Sequence, residues 1–175
     1  KYVFNRGCAL NKLSNYSDAV SAFSLAIALD STDGNYFNKK GSSHYGLREY
    51  EKALKNFTSA IKLNGKDSEY FFNRGNTHKS LGQTSAAIKD YTSAIALDQS
   101  NGDYFKNRGD AYFIFEDYTS ALRDYNSAIA LDDKKPYYLS IRGELHFHVE
   151  EYENPWRYNG SVFDGSLIGD HYGFV

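Results

Sequence analysis

The stretch Tyr104-Phe105-Lys106-Asn107-Arg108-Gly109-Asp110-Ala111-Tyr112, followed by Asp117-Tyr118, Ala121 and Asp124-Tyr125-Asn126-Ser127-Ala128-Ile129-Ala130-Leu131-Asp132, decides the fold. It has counterparts spaced 34 residues apart, marked by Gly7, Gly41, Gly75, Gly109 and Gly143. A tyrosine stands five residues before each glycine (Tyr2, Tyr36, Tyr70, Tyr104, Tyr138), and a basic residue immediately before it (Arg6, Lys40, Arg74, Arg108, Arg142). After the first four glycines come Ala19, Ala53, Ala87 and Ala121, then Phe23, Phe57, Tyr91 and Tyr125, then Ala26, Ala60, Ala94 and Ala128. Small and large residues that keep one register over a period of roughly 20 to 50 residues mark a repeat array.

Within each period the apolar residues predict two helices. Val3, Leu10 and Leu13 fall at helical intervals in the first; Ala19, Val20, Phe23, Ala26, Ile27 and Leu29 do so in the second, which Ser17 or Asp18 can cap. The turns inside later periods fall at Leu47-Arg48-Glu49-Tyr50, Leu81-Gly82-Gln83 and Phe115-Glu116-Asp117. Connections this short make neighbouring helices antiparallel. The mid-helix glycines let paired helices approach closely, a gain that must exceed the roughly 0.5–1 kcal/mol a helical glycine costs relative to alanine. Phe57, Tyr91 and Tyr125 then fill the space left by the small residues. The units are 1–33, 34–67, 68–101 and 102–135, with a degenerate fifth at 136–163 and an irregular tail at 164–175. In the fifth, Pro155 takes the alanine position and Asn159 that of the large aromatic, so a slipped second helix is expected there.

The chain has 175 residues and a net charge of −2, which does not favour nucleic acid or an anionic membrane as partner. Its apolar runs fall short of the roughly 18 residues that suggest a membrane span. No leader is visible, and the chain begins already inside a repeat. Cys8 is the one cysteine, consistent with a reducing, intracellular and cytoplasmic setting; cytoskeletal or ciliary complexes are the alternative.

The recurring motif, from Lys1 to about Tyr152, resembles the tetratricopeptide repeat. The resemblance implies an all-α, right-handed superhelical solenoid of antiparallel helix pairs, whose first helices line a concave groove that binds a protein or peptide. Two departures stand out. The usual proline after the second helix is Ser31, Gly65, Gln99 or Asp133, which should loosen helix ends. The aromatic position three after the glycine holds Leu10, His44, His78, Tyr112 or His146. Solenoid ends need polar caps, so the last helix pair is expected to be covered by a partner, a continuation or the tail.

No motif for catalysis, cofactor or metal emerges. His44, His78 and His146 occupy one repeat position, so they stand about 8–10 Å or more apart in successive layers, too far to share a metal. His146 and His148 remain packing residues on this reading. Arg74 with Asp90, and Arg108 with Asp124, are expected to form ion pairs between helices rather than acid–base pairs, and Cys8 to be a small groove-side residue.

By the resemblance, groove positions fall six, three and two before each glycine and one, four and five after it. Early units place polar residues there: Lys1, Asn5, Asn11, Lys12, Asn35, Asn38, Lys39, Ser42, Asn73, Asn76 and Lys79. Later ones turn apolar and acidic: Asp103, Asp110, Phe113, Ile114, Ile141, Glu144, Phe147 and His148. Asparagine donates and accepts, so Asn5, Asn73 and Asn107 can pair with an extended backbone. Lys12, Lys39 and Lys79 would attract acidic residues, with Asn76 beside them, and Phe113, Ile114 and Phe147 would hold an apolar anchor. Relatives that clamp a chaperone's terminal carboxylate use a lysine three before the glycine with an asparagine one after. Here those pairs are Phe4/Cys8, Asn38/Ser42, Phe72/Asn76, Lys106/Asp110 and Ser140/Glu144, and none fits. The expected function is a non-catalytic interaction scaffold within a multi-protein complex. Rival readings are an architectural piece that uses its ends and convex face, or the regulatory repeats of an enzyme whose catalytic domain lies elsewhere.

Overall fold

In the computed structural model, which describes residues 1–131, eight helices follow one another: α1 (Tyr2–Lys12), α2 (Tyr16–Leu29), α3 (Gly34–Gly46), α4 (Tyr50–Leu63), α5 (Ser68–Ser80), α6 (Thr84–Leu97), α7 (Gly102–Ile114) and α8 (Tyr118–Leu131). The fifth unit, the tail and Phe147 lie outside the described residues. Each helix packs most closely on its partner within a pair, and the second helix of each pair then packs on the first helix of the next. The first helices α1, α3, α5 and α7 also touch in succession, while successive second helices do not approach one another. The first helices therefore line the inner side of an all-α solenoid.

Rings seated over glycines hold each pair together. A Cβ on Gly7 would lie 2.7 Å from the Phe23 ring; on Gly41, 2.8 Å from Phe57; on Gly75, 2.8 Å from Tyr91. At Gly109 the Tyr125 ring sits further off, at 3.3 Å. Ala19, Ala53, Ala87 and Ala121 are fully buried beside these rings, as the spacing predicts.

Helix ends have local causes. Asp33, Asp67 and Asn101 cap α3, α5 and α7, each accepting a backbone N–H through its side chain. Neither Ser17 nor Asp18 caps α2; its N-cap is Asn15, whose amide donates to Asp18 at 2.8 Å. The missing prolines do not leave loose ends. Asp30, Asn64 and Asp98 each accept the backbone N–H two residues on, at 2.9–3.1 Å, and this Asx turn closes the helix instead. Seven residues after each glycine the turn adopts a positive φ: Ser14 at 60°, Arg48 at 59°, Gly82 at 71° and Glu116 at 61°. Packing of the pair imposes this shape even where the residue is not glycine.

The convex side carries a second kind of fastening. Arg108 donates from Nε and Nη2 to both oxygens of Asp124 at 2.7 and 2.8 Å, and from Nη1 to Thr92 of the preceding second helix at 3.1 Å. Arg74 repeats this with Asp90 at 2.8 and 2.7 Å and Thr58 at 3.3 Å. These are the ion pairs expected from the sequence. The first two units place Ala22 and Asn56 at the aspartate position.

Three substitutions test this packing. Gly75→Ala should destabilise by about 1–3 kcal/mol, because buried Tyr91 cannot move aside, while Gly109→Ala should change stability by less than about 1 kcal/mol. Arg48→Gly should stabilise by up to about 1 kcal/mol by relieving its left-handed backbone. Urea unfolding followed by circular dichroism measures all three.

Candidate binding groove

Side chains on the inner helices fall into two chemical halves. In the third and fourth units the hydroxyl of the ring over the glycine is bonded one residue past that glycine. Tyr91 donates to Asn76 and Tyr125 to Asp110, both at 2.7 Å. Burial pushes the Tyr91 phenol far up, so it remains a donor at all ordinary pH. Asp110 also receives Lys106 at 2.8 Å and Lys79 at 3.4 Å, and Lys79 reaches Asn107 at 2.9 Å. In the first two units the rings are Phe23 and Phe57, and the residues past the glycine are Cys8 and Ser42. Two clefts open there. One, of about 380 Å³, is lined by Cys8, Asn11, Lys12, Tyr16, Lys39, Ser42, Tyr45 and Gly46. The other, of about 140 Å³, is lined by Ser42, Tyr45, Phe57, Asn73 and Asn76.

Between the halves sits Glu69. Its carboxylate receives Lys39 at 3.0 Å, Asn38 at 3.1 Å and Asn73 at 3.4 Å, so it ties α3 to α5. Burial would raise its pKa, but these donors outweigh burial and hold it below the usual glutamate value.

The expected site residues thus divide. Asn5 and Lys12 are exposed on α1. Asn73 spends its amide on Asn38, at 3.0 Å, and on Glu69, leaving its carbonyl oxygen to accept. Asn107 donates to the Asp103 carbonyl at 2.8 Å and accepts from Lys79. Lys39 and Lys79 both contact acids of the scaffold. Phe113 packs edge-on against Tyr118 at 5.5 Å, and Ile114 beside it is exposed. Asn38 does not line the groove: it is fully buried, because the position three before the glycine faces the next unit. Phe4 and Phe72 occupy the same position and stack on Tyr36 and Tyr104, with centroids 4.8 and 4.9 Å apart. Cys8 lies at the groove side, as expected.

His44 and His78 staple their own turns: Nδ1 of each lies 2.6 Å from Glu49 and Gln83 respectively. His146 and His148 lie outside the described residues. Among the described residues no three His, Cys, Asp or Glu side chains gather to hold a metal, and no helix is long and apolar enough to cross a membrane.

Sequence reasoning missed Glu69, Tyr16 and Tyr45. Tyr16 was legible in principle, because it recurs as Tyr50 and Tyr118 at the same distance from the glycine.

Comparison with known proteins agrees with this geometry. Family models for the TPR repeat and the tetratricopeptide repeat match residues 75–114 and 35–67. The chain carries tetratricopeptide repeats. Similar solved structures include MamA (residues 41 to the end) from Desulfovibrio magneticus RS-1, at 16% identity and a TM-score of 0.79, covering 87% of this chain and 86% of that one. The first TPR of Spaghetti (RPAP3), bound to an HSP90 peptide, is 20% identical with a TM-score of 0.65, covering 69% and 95%. The Arabidopsis OM64 TPR domain is 28% identical with a TM-score of 0.63, covering 66% and 95%. No curated protein matches the sequence.

Glu69 generates a pH prediction. A carboxyl held below its unfolded pKa adds stability that is present above the ordinary glutamate range and lost as pH falls through the folded value. Thermal melts between pH 7 and pH 3 (about four units, spanning that range) should show a smaller acid-induced loss for Glu69→Gln than for the unaltered chain.

Proposed function

We propose that this tetratricopeptide-repeat protein is a non-catalytic scaffold that holds an extended or helical segment of another protein along α1, α3, α5 and α7. The observation that carries this reading is the open inner face, where clefts of about 380 and 140 Å³ adjoin polar groups with bonding capacity left. Asn5, the carbonyl oxygen of Asn73 and the second amide proton of Asn107 meet the backbone of the segment. Lys12, Lys39 and Lys79, beside Asn76, favour acidic residues, and Phe113 and Ile114, with Phe147 further on, favour an apolar one. The peptide in the Spaghetti (RPAP3) structure supports the general mode. The chemistry differs from a terminal-carboxylate clamp, because Lys106 is already engaged by Asp110 at 2.8 Å.

The groove is tested with peptides selected against the chain from a random displayed library. Replacing Asn5, Asn73 and Asn107 by alanine should weaken selected peptides about tenfold or more, since each lost hydrogen bond is worth roughly 0.5–1.5 kcal/mol. Far-ultraviolet circular dichroism should show unchanged helical content. Unchanged affinity would remove the asparagines from the reading.

A further inference from the structure

The α5–α7 interface contains a carboxylate held in the groove by the protein itself, and it serves as a template. Asp110, one residue past its glycine, receives the ammonium groups of Lys106 and Lys79 and the Tyr125 hydroxyl. At the equivalent place on α3 stands Ser42, and on α1 Cys8, neither able to supply an anion at neutral pH. The equivalents of Lys79 and Lys106 here are Asn11 and Asn38, but the next residue after each is a lysine: Lys12 from α1 and Lys39 from α3 both line the 380 Å³ cleft, together with the rings of Tyr16 and Tyr45. The cleft thus has two cations and no acid in its lining.

We propose that the cleft between α1 and α3 is an anion subsite that takes an aspartate or glutamate side chain of the bound segment, seated between Lys12 and Lys39. This rests on the groove reading above and names its charged contact.

The build of the cleft supports this. Gly46 lets the Tyr16 ring lie flat on the start of the α3–α4 turn: a Cβ there would meet the ring at 2.7 Å, so this wall exists only because the position is glycine. The corresponding positions in other units are Lys12, Ser80 and Ile114. Tyr45 forms another wall, fixed edge-on against Tyr50 with centroids 5.4 Å apart and bonded to Ser80 at 2.9 Å. Both walls are thus held before anything binds, which lowers the ordering cost of binding. Among the described residues the only acid bonded to either lysine is Glu69, which is already shared with Asn38 and Asn73. Burial pushes the Cys8 thiol up, while Lys39 and then Lys12 pull it back, which places both ammonium groups within electrostatic reach of the cleft floor. A side-chain carboxylate suits this site better than a chain terminus, because the cleft is continuous with the rest of the groove and none of the terminal-clamp pairs is present.

Cys8, being the chain's one cysteine, reports on the cleft directly. Its thiolate displaces iodide from anionic iodoacetate or from neutral iodoacetamide. The ratio of the two rates cancels the thiolate fraction and burial, and reads only the local preference for a negative reagent. Relative to N-acetylcysteine, the ratio at Cys8 should be raised about threefold to fivefold at low salt. It should fall toward the free-thiol value in about 0.5 M salt and in the Lys12→Gln, Lys39→Gln double variant. A peptide blocked at both ends and carrying alternating glutamates should slow iodoacetamide labelling of Cys8, and its glutamine counterpart should not. A ratio equal to that of the free thiol overturns the subsite. A raised ratio without protection by the glutamate peptide overturns its assignment to a peptide side chain. Because the ratio is read without any partner, it stands or falls separately from the asparagine variants that test the groove.

Discussion

Everything in this molecule depends on an aromatic ring lying where a Cβ would otherwise be. Phe23, Phe57, Tyr91 and Tyr125 each cover a glycine of the paired helix, and the contact fixes how near the two axes come. Once that separation is set, the alanines beside the ring are buried, the turn takes its left-handed residue, and each pair presents the same face to the next. No central core is needed, because every layer is completed by its neighbour. One thing that varies is whether the ring ends in a hydroxyl.

That variation decides the character of the groove. A tyrosine over the glycine brings a hydroxyl to the inner face, and the chain supplies Asn76 or Asp110 to accept it. A phenylalanine brings nothing, and Cys8 and Ser42 leave space. The scaffold and the groove are therefore written by the same residues: a ring chosen for packing on one side also determines which polar atoms remain free on the other.

The helices, turns and paired faces were legible from sequence because they rest on volume and period. Gly41 with Phe57, or Arg108 with Asp124, can be matched from spacing alone, since two helices of one pair meet in only one register. The groove was less legible. Spacing placed Asn38, Asn73 and Lys39 together but not the direction of their hydrogen bonds, and Glu69, six before its glycine, gathers all three. The position three before the glycine packs against the next unit, which is why Phe4 and Phe72 suit it and why Asn38 is buried with them. A face argument names the neighbours of a side chain. It does not say which of them will take its protons.

The arginines that reach backward give the array unequal stiffness. Arg74 joins the second helices of the second and third units through Thr58, and Arg108 those of the third and fourth through Thr92. Between the first two units no such strut forms among the described residues: Lys40 stands at the arginine position and Asn56 at the aspartate position. Among the described units the outer side is braced between the second and fourth and carries no such contact between the first two. The unbraced end is the one with the open cleft, so the outer fastening and the inner opening lie at different ends of the described array.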